Sequence, residues 1–226
     1  MAFLRISVGM RRLNPQTNKL FKRGDMREDG YLFWSYNLSF IKKGVTKMAQ
    51  AKTLTQAEID QVLRYVATRR YAKRDRALIL TSFWSGMRCG EIAQLKMRDV
   101  VNTDGTIKNE IKLSGNVTKN NKSRIVFFPQ KLKIEIQDYL TTRMINNPEI
   151  PLFHTDDRLG FTPNSLCQWF YWTYKRAGIH GASSHSGRRT FITSLANKGI
   201  SVRVLASLAG HSSIAITQAY IDVNDD

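Results

Sequence analysis

From Thr55 onward the chain alternates between stretches whose apolar residues recur every three or four positions and short polar breaks. Thr55-Gln56-Ala57-Glu58 reads as a capping box, and Ile59, Val62, Leu63 and Val66 follow at helical spacing, so a helix is predicted to start near residue 55. A second helical pattern runs from about Arg74 to Trp84 and stops at Ser85-Gly86. A third begins near Cys89, with Ile92 and Leu95 on one face and Arg88 just ahead of it. The period then changes. EIKLSGNVTKNNKSRIVFFP holds two β-rich stretches around a polar turn, a basic hairpin with Lys119, Asn120, Asn121 and Lys122 near its tip and Pro129 at its end. Helical patterns resume at about 130–145, 163–177, 186–198 and 201–209, with Pro163 suited to a first helical position and Gly178 and Gly199 to helix ends. A last short helix is expected from Ser212 or Ser213 past Tyr220. Ahead of residue 50 the pattern differs: Asp29-Gly30 is a two-residue turn signal between KLFKRGDMRE and the aromatic-rich YLFWSYNLSF, which predicts a small β-hairpin, and KKGVTKMAQAK reads as a linker. The expected organisation is a basic, β-rich arm and linker over residues 1–50 and one domain over 51–226, mainly α with a small antiparallel hairpin.

Composition sharpens this outline. Apolar residues make up 42% and aromatic residues 10% of the 226, enough for a packed core and unlike a disordered chain. The 35 Lys and Arg against 18 acids give a net charge of +17, which points first to nucleic acid as partner. A basic surface could also serve an acidic membrane. Residues 1–50 are the densest cationic segment, with 10 Lys or Arg against 3 acids. Two cysteines, Cys89 and Cys167, suggest neither a disulfide framework nor a zinc site, and a reducing compartment is expected. The N-terminal apolar stretch is too broken for a signal-peptide core, and no apolar run is long enough to span a bilayer.

Four segments carry candidate chemistry: SGMRCGEIAQL at 85–95, TKNNKSR at 118–124, SSHSGRRTF at 183–191 and LAGHSSIAITQAY at 208–220. As an ordered set they hold Arg88, Lys119, His185, Arg188, His211 and Tyr220. In order and context these residues resemble the tyrosine recombinase, or phage integrase, family over about residues 52–226. The resemblance implies the catalytic fold of that family, site-specific cleavage and rejoining of double-stranded DNA by an integrase or invertase, and a mobile genetic element as context. It implies a tetramer of protomers on synapsed DNA, a bacterial cytoplasm and nucleoid as location, and neither cofactor nor metal.

Each match has a chemical reason. Attack on a phosphodiester builds charge on the nonbridging oxygens, and planar guanidiniums hold such oxygens through paired hydrogen bonds, the role expected of Arg88 and Arg188. The resemblance makes Tyr220 the nucleophile of a 3′-phosphotyrosyl bond, His185 the acid/base group beside it, and Lys119 the proton donor to the leaving 5′ oxygen. Lys122 is the rival for that last role and otherwise a phosphate contact. Arg124, Arg189, Lys22 and Arg23 are expected as further DNA contacts. Glu91, one turn after Arg88, is expected to orient that guanidinium. His211 and Tyr220 lie nine residues apart, on opposite sides of any straight helix, so a break near Gly210, with Ser212-Ser213 as cap, is required for both to face one phosphate. The aromatic run FYWTY is read as core rather than as a base-stacking strip.

Three features depart from the family. About fifty residues precede the catalytic block where most relatives carry a helical clamp of roughly a hundred. Six residues follow Tyr220, and Gly187 stands where the commonest relatives have leucine. In size the chain resembles the small invertases of fimbrial switches. Two competing functions share the fold or the chemistry: a DNA-binding regulator without catalysis, and a relaxase of the type IB topoisomerase kind.

Overall fold

The computed structural model describes residues 51–115, 123–143, 147–156 and 159–221, apart from the side chain of residue 220. The predicted N-terminal arm, with Lys22 and Arg23, and the hairpin tip, with Lys119 and Lys122, lie outside the described residues. What is described belongs to one compact unit, Ala49–Asp226.

Its centre is helix α2 (Ala72–Ser85), in which every residue from Ala77 to Phe83 is buried. A helix apolar or small on all sides must be enclosed by others, and α1 (Gln56–Ala67), α5 (Gln130–Leu140) and α7 (Ser186–Ala196) pack around it. The short α3 (Cys89–Ala93) rests on α6 (Pro163–Arg176). The antiparallel hairpin of β1 (Glu110–Leu113) and β2 (Arg124–Phe127) follows a one-turn helix α4 (Met97–Val100) that no periodicity announces. Two helices, α8 (Val202–Ala209) and α9 (Ile214–Ile221), close the unit against α7. The described residues are thus mainly helical with a two-stranded antiparallel sheet, as expected for 51–226.

Local signals explain most boundaries. Thr55 and Glu58 form both halves of the capping box at α1. Pro163 opens α6, and Thr162 caps it through the Ser165 amide. The helix predicted to reach about residue 145 ends at Leu140, where Thr141 is the C-cap. The run FYWTY divides: Phe170 and Tyr174 are core, whereas Tyr171 and Trp172 are exposed, with Lys175 Nζ 5.0 Å from the Trp172 ring centre.

Gly187 marks the contact that brings α7 onto α2. A Cβ built there would lie 2.2 Å from Ser82 Oγ and 2.8 Å from its Cβ. The departure from leucine is therefore matched by a small residue opposite, and the two helices approach more closely than any larger side chain allows. Gly187→Leu is expected to destabilise the unit by about 1–3 kcal/mol through overpacking. A thermal melt should register this as a loss of roughly 3–10 °C.

Candidate active site

The site forms at the C-terminal end of α8. A helix end leaves carbonyls without intrahelical partners and carries the negative pole of the helix dipole. Here three arginines from three distant parts of the chain meet three consecutive carbonyls. Arg124 Nη1 donates to Leu208 O at 2.7 Å, Arg188 Nη2 to Ala209 O at 2.5 Å, and Arg88 Nη2 to Gly210 O at 2.9 Å. The carbonyls point outward because Gly210 adopts the left-handed conformation, φ 64°, and turns the chain, while the His211 amide returns to Ala206 O at 2.9 Å. A side chain at 210 would also collide with Arg124, since a Cβ there would lie 2.5 Å from its Cδ.

Glu91, 2% exposed, holds two of the arginines together. Its Oε1 accepts from Arg88 Nη1 at 2.9 Å, and its Oε2 accepts from Arg124 Nη2 at 2.6 Å and from the Arg88 amide at 2.7 Å. Burial pushes the Glu91 carboxyl up, but the hydrogen bonds and charges of Arg124 and Arg88 outweigh it and leave it below its ordinary value. Arg188, 3% exposed, is braced from its other side by Gly86 O, to which Nη1 donates at 2.7 Å. Three guanidiniums against one carboxylate leave an excess of positive charge in a sheltered place, an arrangement suited to an anion with tetrahedral oxygens.

His211 stands at the same junction. Its Nδ1 lies 2.7 Å from the hydroxyl of Thr217, a buried residue of α9 whose described neighbours Ile214, Ala215, Ile216, Gln218 and Ala219 are exposed. Position 220 is three residues on, one turn along the same helical face. The break required between His211 and Tyr220 is present, as α8 ends at Ala209 and α9 begins at Ile214, with the Ser213 hydroxyl accepting from the Ala215 amide. Desolvation, then the charges of Arg188, Arg88 and Arg124, lowers the His211 pKa to about 4. Below the ordinary value of 6.5 the unfolded chain therefore takes up a proton that folded His211 refuses until about pH 4. Its contribution to stability falls as pH drops through that window. Thermal midpoints at pH 7 and pH 4.5 should differ less in His211→Gln than in the wild type.

A model of the phage integrase family matches residues 52–226. The chain belongs to that family. It is 28% identical over 173 residues to the tyrosine recombinase XerA of Pyrococcus furiosus, covering 76% of this chain and 57% of the relative. The XerA of Thermococcus kodakarensis is 30% identical over 175 residues, covering 76% and 58%. XerC of Lactobacillus leichmannii is 28% identical over 177 residues, covering 75% and 57%. The chain thus spans less than two thirds of the length of these curated relatives. Among solved structures, a XerA recombinase matches with a TM-score of 0.64 at 26% identity, covering 77% of this chain and 61% of that one. The Tn1549 transposon integrase in complex with a circular intermediate DNA shares the fold, with a TM-score of 0.65 at 20% identity, covering 83% and 66%.

Of the six residues matched to the phage integrase signature, the structure brings Arg88, Arg188 and His211 to one place and sets Tyr220 on α9. His185 is the exposed N-cap residue of α7, on the turn that leads into Arg188. Two expectations need correction. Arg124, expected as a DNA contact, turns inward: its side chain is 9% exposed and bonds Glu91 and Leu208 O. Arg189, also expected on DNA, is buried, and its Nε donates to Thr53 Oγ1 at 3.1 Å, strapping α7 to the segment ahead of α1. Adjacent residues on a helix point about 100° apart, and here Arg188 turns to the α8 terminus while Arg189 turns to Thr53. Sequence reasoning also missed a thiol contact. Cys167 on α6 is lowered by a hydrogen bond from Cys89, against burial and with the help of Ser184, and Cys89 is raised by the same contact and by burial. Among the described residues no group of three or more His, Cys, Asp or Glu could hold a metal ion, and no helix is long and apolar enough to cross a membrane.

Proposed function

We propose that this member of the phage integrase family is a site-specific DNA recombinase, an integrase or invertase of a mobile element, acting through a covalent tyrosine intermediate. The observation that carries the reading is the convergence of Arg88, Arg188 and His211 on the α8 terminus, with position 220 one turn beyond the residue that holds His211. In this reading Arg88 and Arg188 hold the nonbridging oxygens of the scissile phosphate, and His211 donates to the same group. Tyr220 Oη attacks phosphorus as its proton passes to His185. The P–O5′ bond breaks, Lys119 protonates the departing 5′ oxygen, and a 3′-phosphotyrosyl ester remains. A 5′ hydroxyl from another strand reverses these steps, exchanging one phosphodiester for another, so no nucleotide hydrolysis is needed. Lys122 contacts a backbone phosphate, and Glu91 orients Arg88. Residues 1–50, with Lys22 and Arg23, form a basic arm on the duplex. Four protomers assemble on two DNA sites in a bacterial cytoplasm, at the nucleoid.

The test is capture. The protein is incubated with nicked duplexes of randomised sequence, and the DNA that stays attached through SDS is sequenced. A consensus attached at Tyr220 is expected. No attached DNA would favour the regulator, and attachment without exchange between two captured sites would favour the relaxase.

A further inference from the structure

Arg124 is outside the six signature positions, yet it bonds the same framework as Arg88, the Glu91 carboxylate and the α8 terminus. It opens β2 opposite Leu113. From there its guanidinium spans Glu91 of α3 and the Leu208 carbonyl of α8, residues 33 and 84 positions away. Glu91 is the carboxylate that orients Arg88, and Leu208 is the first of the three carbonyls on which the arginines meet. The close fit of Arg124 beneath Gly210 means that the left-handed turn leading to His211 is shaped around this side chain. We propose that Arg124 is a positioning residue for strand cleavage, locking Glu91, and through it Arg88, to the α8 terminus from which His211 departs. The inference rests on the recombinase reading for its kinetic consequence, but not for its structural one.

A fork is required for this task. Two parallel donors aimed at different acceptors fix an angle as well as a distance, which a single ammonium cannot do. The side chain is not kept for the completeness of its own hydrogen bonding, because its Nε is buried without a partner among the described residues. A residue selected only to fill or brace the interior would more simply be apolar. His211 reports the lock directly. The charged groups acting on it are Arg188 from α7, Arg88 ahead of α3 and Arg124 from β2, and its neutral partner is Thr217 of α9. Removing one of three cations makes protonation of the ring easier.

The experiment compares the wild type with Arg124→Met and Arg124→Lys. Capture of the randomised nicked duplexes is followed at increasing DNA concentration, and His211 is titrated by NMR in the free protein, its signal identified with His211→Gln. In Arg124→Met the capture rate at saturating DNA should fall about 10- to 100-fold, with half-saturation moved by less than about threefold. Arg124→Lys should lie between, and His211 should titrate at higher pH in Arg124→Met than in the wild type. Capture at the wild-type rate overturns the proposal, and so does an unmoved His211 titration. Should Arg124→Met melt below the assay temperature, Arg124→Lys carries the capture reading, since its ammonium keeps the charge but not the fork, and capture at the wild-type rate again overturns the proposal. A wild type that captures no DNA would refute the recombinase reading, and the His211 shift would still decide the placement of Arg124.

Discussion

Tyr220→Phe should abolish covalent capture of DNA while leaving binding and fold intact. The substitution removes one oxygen, and with it the only atom proposed to bond phosphorus. Phenylalanine keeps the aromatic ring. Loss of a nucleophile costs on the order of 10⁶-fold in rate, so no adduct should survive SDS over hours. Gel-shift affinity for a captured site should change by less than about threefold, because the arginines proposed to hold the phosphate are untouched. Undiminished capture in this variant would place the nucleophile elsewhere and remove the basis for Tyr220.

Arg188→Met should show the next largest loss, for two separable reasons. The first is chemical: a guanidinium that neutralises developing charge on a phosphoryl oxygen is worth about 10³- to 10⁵-fold in rate. The second is structural, since Gly86 O and Ala209 O both lose their donor in the interior. Each buried carbonyl left unpaired costs roughly 1–3 kcal/mol. Arg188→Lys separates them. An ammonium can return a charge and satisfy one carbonyl, so it should recover much of the stability and little of the rate. Single-turnover capture and a thermal melt, run on both variants, check the split. Equal recovery of rate and stability by lysine would mean that Arg188 serves the fold and not the phosphate.

The helical frame was legible in the chain because its signals are local. Thr55 and Glu58 meet within one turn, Pro163 suits the first turn it occupies, and Gly210 ends α8 through its own backbone conformation. The break between His211 and Tyr220 could be inferred from helical arithmetic alone, before any contact was known. The one-turn helix α4 could not, since four residues are too few to display a period.

The fates of the arginines were not legible. Arg124 and Arg189 sit beside Lys122 and Arg188 in a strongly basic chain, and charge alone counts them all as DNA contacts. Whether a guanidinium faces solvent or a buried carboxylate depends on what the fold carries to its other end. For Arg124 that is Glu91, which reads in sequence as a partner for Arg88 only.

What the sequence by itself determined is the order of the candidate groups and the helices around them, because capping, periodicity and motif spacing act over a few residues. What only the tertiary structure decided is that Arg88, Arg124 and Arg188 converge on three successive carbonyls, across separations of 122, 84 and 21 residues. No local preference encodes such a meeting. It follows from burying α2 among its neighbours, which brings the ends of α3, α7 and α8 together and leaves a helix terminus whose unpaired carbonyls and negative pole draw the cations in.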